Sequence, residues 1–242
     1  MTLIAGIVLP KGILMVSDTR QSDDKTDEII HDYSRKITFV APDCILGTSG
    51  SESSFYTAKI LRNCLYNSHE AMTTRDRRNH ILDFYSSVND FSSKTNKIKN
   101  YPVGCAILAD YDKENESFTL TSVKNFVNQN YSLTFNKARD VDLIGASESI
   151  QDTAKVKIQA LLQSLTEEQL SHPNAYRYIA EKCQTIFQQA AKEYVGISDK
   201  LYVFYLTTLH NKPASDCFLL EEDGTLHDVD RQQDGEIISY TK

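Results

Sequence analysis

The order of β-rich and helical segments is the tightest constraint on how these 242 residues can fold. Residues 2–9 are apolar and β-favouring, Pro10-Lys11-Gly12 supplies a turn, and Ile13–Val16 continue as a second strand. The polar, acidic stretch from Asp18 to Tyr33 reads as a long loop. Lys36–Val40 and Cys44–Thr48 read as two more strands, and the small polar run 49–54 leads into a helix. In that helix Phe55, Ala58, Leu61 and Leu65 recur at spacings of three and four. A second helix runs from about Arg75 to Lys94, with Ile81, Phe84, Tyr85, Val88 and Phe91 on one side.

The pattern then repeats. Val103–Asp110 and Ser117–Val123 read as a hairpin, with further strands near 131–135 and 141–145. A third helix spans about 148–164, its buried stripe formed by Ala154, Ile158, Leu161 and Leu165. A fourth begins at Pro173 and carries Tyr176, Ile179, Cys183, Ile186 and Ala190. Leu201–Leu209 is a strongly apolar strand, and Phe218–Leu220 with Leu226–Val229 forms a hairpin about Asp223-Gly224. Two facing sheets with a helical pair outside each satisfy every apolar face. The expected class is α+β, a four-layer αββα sandwich of mainly antiparallel sheets. No Pro/Gly/Ser linker divides the chain, so residues 1–242 are expected to form one domain.

Composition removes several function classes. Hydrophobic residues make up 40% and charged residues 24%, enough for a full core. A net charge of −7 gives no ground for binding nucleic acid or an anionic membrane. The basic clusters Arg75–Arg78 and Lys94–Lys99 are broken by acidic or polar residues and read as solvated surface. The five cysteines, 44, 64, 105, 183 and 217, are scattered without CxxC spacing, and Cys64 and Cys183 fall on apolar helical faces. They read as reduced packing residues of a cytoplasmic protein. No secretory leader and no membrane span are expected, because Asp18 and Arg20 close the opening apolar run early. The six histidines lack HxxxH or HExxH spacing and no phosphate loop occurs, so neither metal nor organic cofactor is expected.

The chemistry concentrates at Thr2. With Met1 removed, one residue carries both a hydroxyl and a free α-amine. A threonine hydroxyl needs an adjacent base to act as a nucleophile at neutral pH. An α-amine, with a pKa of about 7.7–8.0, can accept and return a proton near working pH.

The stretch TLIAGIV, the Gly12 turn, Ser17-Asp18-Thr19-Arg20, Lys36-Ile37 and the Gly47–Gly50 segment before the first helix together resemble a proteasome β-type subunit. That family belongs to the N-terminal-nucleophile hydrolases, and the likeness is strongest over residues 2–65. Length and the SDTR motif are most similar to the bacterial ancestral β-subunit branch. The resemblance implies Thr2 as nucleophile, its amine as base, Asp18 orienting Lys36, and Lys36 as a fixed positive charge beside the hydroxyl. It implies the Gly50 N–H as oxyanion donor, Gln21, Ser22 and Ser51 along a cleft for an extended peptide, and Thr48 lining the pocket before the scissile bond. It also implies a homo-oligomer, as a ring, stacked rings or a spiral, and leaves open whether an ATPase feeds it. Two segments depart from the family pattern. Gly145-Ala146-Ser147-Glu148 has alanine where a serine is usual, and Ser198-Asp199 stands in a different order and register.

The expected function is threonine-type hydrolysis of peptide bonds in peptides or unfolded proteins. The same nucleophile would also serve an amidase on non-peptide amides. A catalytically silent assembly subunit is the third reading, motivated by Ala146 and the register of Ser198.

Overall fold

The computed structural model describes residues 2–23, 26, 28–50, 52–95, 104–123, 131–134 and 137–240. In chain order, the first half holds β1 (Leu3–Leu9), β2 (Gly12–Asp18), β3 (Gln21–Ser22), β4 (Ile29–His31), β5 (Ile37–Ala41) and β6 (Cys44–Gly50). The helices α1 (Glu52–Leu65) and α2 (Thr74–Thr95) follow. Then come β7 (Gly104–Asp112), β8 (Ser117–Val123), β9 (Tyr131–Thr134) and β10 (Val141–Gly145). The second helical group is α3 (Glu148–Ser164), α4 (Glu167–Leu170) and α5 (Ala175–Glu193). The chain closes with β11 (Leu201–Leu209), β12 (Lys212–Leu220) and β13 (Leu226–Asp228).

These elements make a mixed α+β structure with three sheets. Among the described residues, one has six strands in the order β10-β1-β2-β11-β12-β13, one has five in the order β5-β6-β7-β8-β9, and β3 pairs with β4. Every strand pairing is antiparallel.

Alternation along the strands sorts the apolar residues into three clusters. Leu3, Ala5 and Ile7 of β1 pack with Ile150, Ala154, Ile158, Ile179, Cys183 and Phe187 of α3 and α5. The intervening Ile4 and Val8 join Ile13, Met15, Ile37, Ile45, Ile107 and Phe204, residues from both large sheets. On the far side of the five-stranded sheet, Cys44, Leu46, Ala106 and Leu108 meet Ala58, Leu61, Leu65, Ile81 and Tyr85 of α1 and α2. Each large side chain so buried contributes about 1.5–3 kcal/mol. The opening strand therefore faces helices on one side and strands on the other, which is why it has no polar alternation to read.

The expected loop 18–33 instead contains the β3–β4 pair, with Gln21 opposite His31 and Ser22 opposite Ile29. The fourth helix starts at Ala175 rather than Pro173. Ahead of it, α4 is held by a reciprocal capping box between Thr166 and Gln169. Leu162, not Leu161, is the fully buried member of the last turn of α3. Phe91 and Cys64, expected on apolar helical faces, are exposed. The expected strand residues Val103 and Phe135 lie outside the described residues. Among the described residues no helix is long and apolar enough to cross a membrane.

Candidate active site

Hairpin geometry gathers the implicated residues at one end of the two large sheets. Thr2 stands just before β1, Asp18 ends β2, Lys36 precedes β5, Gly50 ends β6 and Gly145 ends β10. Antiparallel pairing makes these strand starts and strand ends neighbours: Leu3 lies opposite Gly145, and Leu201 opposite Asp18.

Asp18 is the hub. Its carboxylate is fully buried, so it needs donors on both oxygens to persist as an anion. Oδ1 accepts the Leu3 amide at 2.7 Å and Lys36 Nζ at 2.9 Å. Oδ2 accepts Lys36 Nζ at 2.8 Å and the Arg20 amide at 3.1 Å. One carboxylate oxygen therefore separates the lysine ammonium from the peptide that joins Thr2 to Leu3.

Lys36 is buried in turn, and its ammonium also donates to the Arg20 carbonyl at 2.6 Å. Burial, the largest influence, pulls its pKa below the ordinary 10.5, while the charge and hydrogen bonds of Asp18 resist that pull. The flanking groups are fixed as well. Arg20 Nε and Nη2 bond the two oxygens of Asp32 at 2.6 and 3.3 Å, and Nη1 donates to the Val195 carbonyl. Burial acts to raise the Asp32 pKa, but Arg20 outweighs it and holds the carboxyl below its usual range.

A second group converges on Thr2 from β6 and β10. A Cβ placed on Gly145 would lie 2.1 Å from the Thr2 carbonyl oxygen and 2.9 Å from Ser49 Oγ. Gly145 has φ +107, so only glycine meets both demands there. Gly50, with φ +125, shares that backbone requirement at the exposed end of β6.

The remaining candidates fall in different places. Gln21 and Ser22 form the short strand β3, immediately after the carbonyl that holds Lys36. Thr48 is buried, and its amide donates to the Lys36 carbonyl at 2.9 Å. By alternation its side chain shares a face with Cys44 and Leu46, toward α1, while Ser49 is on the face toward Gly145. Ser51 lies outside the described residues. Ser147 is an exposed N-cap of α3 without a side-chain capping bond.

Ser198, which sequence register set apart, is fully buried beside the hub. Its Oγ accepts from the Lys200 amide at 3.0 Å and shares a hydrogen bond with Thr19 Oγ1 at 3.2 Å. Thr19 Oγ1 also donates to the Asp32 carbonyl at 2.9 Å. Sequence reasoning assigns no role to Arg20, Asp32 or Ser49. Arg20 stands inside the Ser17–Arg20 motif and Ser49 inside the Gly47–Gly50 segment, the signals available for them; Asp32 carries none apart from tertiary contact.

The arrangement offers an ammonium fixed beside the Thr2–Leu3 peptide in a water-poor setting. All three ammonium hydrogens face acceptors, so Lys36 is suited to act by charge rather than by giving up a proton. Among the described residues no cluster of His, Cys, Asp and Glu is arranged to hold a metal ion. Comparison with protein-family models and with curated proteins returns no match.

Proposed function

We propose that this chain is a threonine-type peptide hydrolase in which Thr2, freed of Met1, is the nucleophile and its own α-amine the base. One observation carries the reading: a single buried carboxylate, Asp18, binds both the Lys36 ammonium and the first strand amide after Thr2. A structural ion pair would not need the lysine beside that particular peptide.

In the proposed cycle the Thr2 hydroxyl oxygen attacks the scissile carbonyl carbon and its proton passes to the α-amine. The oxyanion of the tetrahedral intermediate accepts a hydrogen bond from the Gly50 N–H, an interaction worth about 3–4 kcal/mol in comparable sites. The C–N bond breaks as the ammonium returns the proton to the leaving amine, and Thr2 is left as an ester. Water, activated by the same amine, then releases the acid and regenerates the hydroxyl. Lys36 favours the developing alkoxide throughout, and Asp18 keeps Lys36 charged and in place. Gln21 and Ser22 would offer backbone to an extended substrate by strand addition.

The three apolar clusters support a four-layer αββα arrangement of one domain. We infer a cytoplasmic homo-oligomer on the resemblance alone. The test begins with the N-terminal mass of the purified protein, followed by exposure of its Met1-free form to a β-lactone probe. Labelling at Thr2 that disappears in Thr2→Ala is expected. A folded, assembled, Met1-free protein that takes up no probe overturns the reading.

A further inference from the structure

Residues 230–240 cross the molecule as a strap, joined at each end to a different element. Near its start, the Gln232 carbonyl accepts from Arg62 Nη2 of α1 at 2.9 Å, and the Gln232 side chain bonds the Tyr66 hydroxyl. Near its end, the Tyr240 ring stacks on His227 with centroids 4.1 Å apart, and its hydroxyl donates to Glu221 Oε1 at 2.6 Å. Between these anchors Ile238 is buried in the core between the two large sheets.

The middle of the strap pairs with the residues directly ahead of Lys36. The Arg35 amide donates to the Glu236 carbonyl at 2.8 Å, and the Ile238 amide to the Tyr33 carbonyl at 2.7 Å. These bonds flank an antiparallel bridge between Ser34 and Ile237. On its other edge the same segment is tied to the catalytic side, because the Ser34 amide donates to the Thr19 carbonyl at 2.7 Å. The buried Arg35 side chain adds a cross-tie, with Nε on the Gly235 carbonyl at 3.1 Å and Nη1 on the Tyr202 hydroxyl at 2.9 Å. At Lys36 the chain changes neighbours, and the Lys36 carbonyl takes the Thr48 amide of β6 instead.

Tyr33–Arg35 are thus a short segment clasped between Thr19 and the strap. A lysine that reaches a buried carboxylate through four methylenes is placed by its backbone. Displacement of a catalytic group by about 1 Å can cost about a hundredfold in rate. A single bridge of two backbone hydrogen bonds also opens more readily than a full ladder.

We propose that strap residues Gly235–Ile238, with Arg35 as their cross-tie, are positioning residues for Lys36. They act as a clasp whose release takes the ammonium away from Asp18 while both large sheets stay intact. The inference rests on the hydrolase reading for its catalytic consequence, but not for its structural one.

The test compares the full chain with a deletion of residues 235–242 and with Ile238→Ala. Two readouts are taken: the rate of β-lactone labelling at Thr2, and acylation of Lys36 by acetic anhydride, mapped by mass spectrometry. The exposed Lys11 serves as the internal standard. In the full chain Lys36 is expected to be protected. In the deletion its acylation should approach that of Lys11 and labelling should slow by about 10–100-fold, with cooperative unfolding retained. A peptide spanning residues 229–242, added in trans, should restore both.

A folded deletion variant with Lys36 still protected and Thr2 labelled at the full rate overturns the proposal. Should the deletion fail to fold, Ile238→Ala decides: raised Lys36 acylation supports the clasp and unchanged acylation overturns it. If the full chain itself does not label, the hydrolase reading falls. Lys36 protection still rules on the strap, in either direction.

Discussion

The Leu3 amide donates to Asp18 Oδ1 across 2.7 Å, so the strand that begins after Thr2 is pinned to the carboxylate that also binds Lys36. This bond uses a main-chain hydrogen that β1 could otherwise have given to a neighbouring strand. It holds the Thr2–Leu3 peptide in register with the ion pair.

Removal of the ammonium is expected to have two separable effects. Lys36→Ala leaves Asp18 buried without its counter-charge, and stability should fall by about 3–5 kcal/mol. Probe labelling at Thr2 should fall by about 10²–10³-fold in protein that remains folded. Denaturant melts and labelling kinetics on the same preparation check both.

The alkaline side of the pH profile should report Lys36. Its folded pKa lies below 10.5, so between that folded value and 10.5 the unfolded chain binds more protons than the native one. Stability therefore gains from this group as pH rises through the window, whereas labelling loses the cation and declines. Asp18→Asn removes the charge that opposes burial, and the decline should move toward neutral pH. Labelling rates across pH for both proteins, with melts at matched points, test the opposite signs.

Gly145→Ala should disturb the site without touching a titratable group. The added carbon would overlap the Thr2 carbonyl and adopt a φ of +107. A stability loss of about 1–3 kcal/mol is expected, with labelling about 10–100-fold slower from the displaced Thr2. Thermal unfolding and probe kinetics would show it.

Thiol reactivity offers a test of the packing that supports the site. Burial pushes the Cys44 and Cys183 thiols up to about 12, and Cys217 to about 11, whereas Cys64 is exposed. In folded protein a maleimide should modify Cys64 first and leave those three unreacted. Mass mapping after a short exposure at neutral pH decides it.

Most of the frame was legible because burial is written into periodicity. The β1–β2 hairpin and the Leu201–Leu209 strand are apolar throughout, since both faces are covered. The limits of α3 could be read to the residue. The first half of β12 was hidden by Lys212, Pro213 and the polar residues after it. Among the described residues only β11 pairs along that half, so proline's missing donor faces an open edge and is tolerated. The β3–β4 pair was hidden by acidic residues that look like loop. Phe91 fits the apolar stripe of α2, yet it lies beyond the cover that Tyr85 and Ile81 receive. At the site, Asp18 and Lys36 stood out through their motif. Ser198 and Gly145 are brought there by strand pairing between segments far apart in sequence, which no local spacing encodes.

The pairing of Arg35 with Gly235 and Glu236 has a consequence for biogenesis. Two hundred positions separate Arg35 from Gly235. A ribosome adding about 5–20 residues per second would need roughly 10–40 s to cover that interval. Until then a nascent chain already holds its threonine, aspartate and lysine, but not the late segment that closes behind them. Under the proposed hydrolase reading, translation order thus delays completion of the site until residues 235–238 have been made.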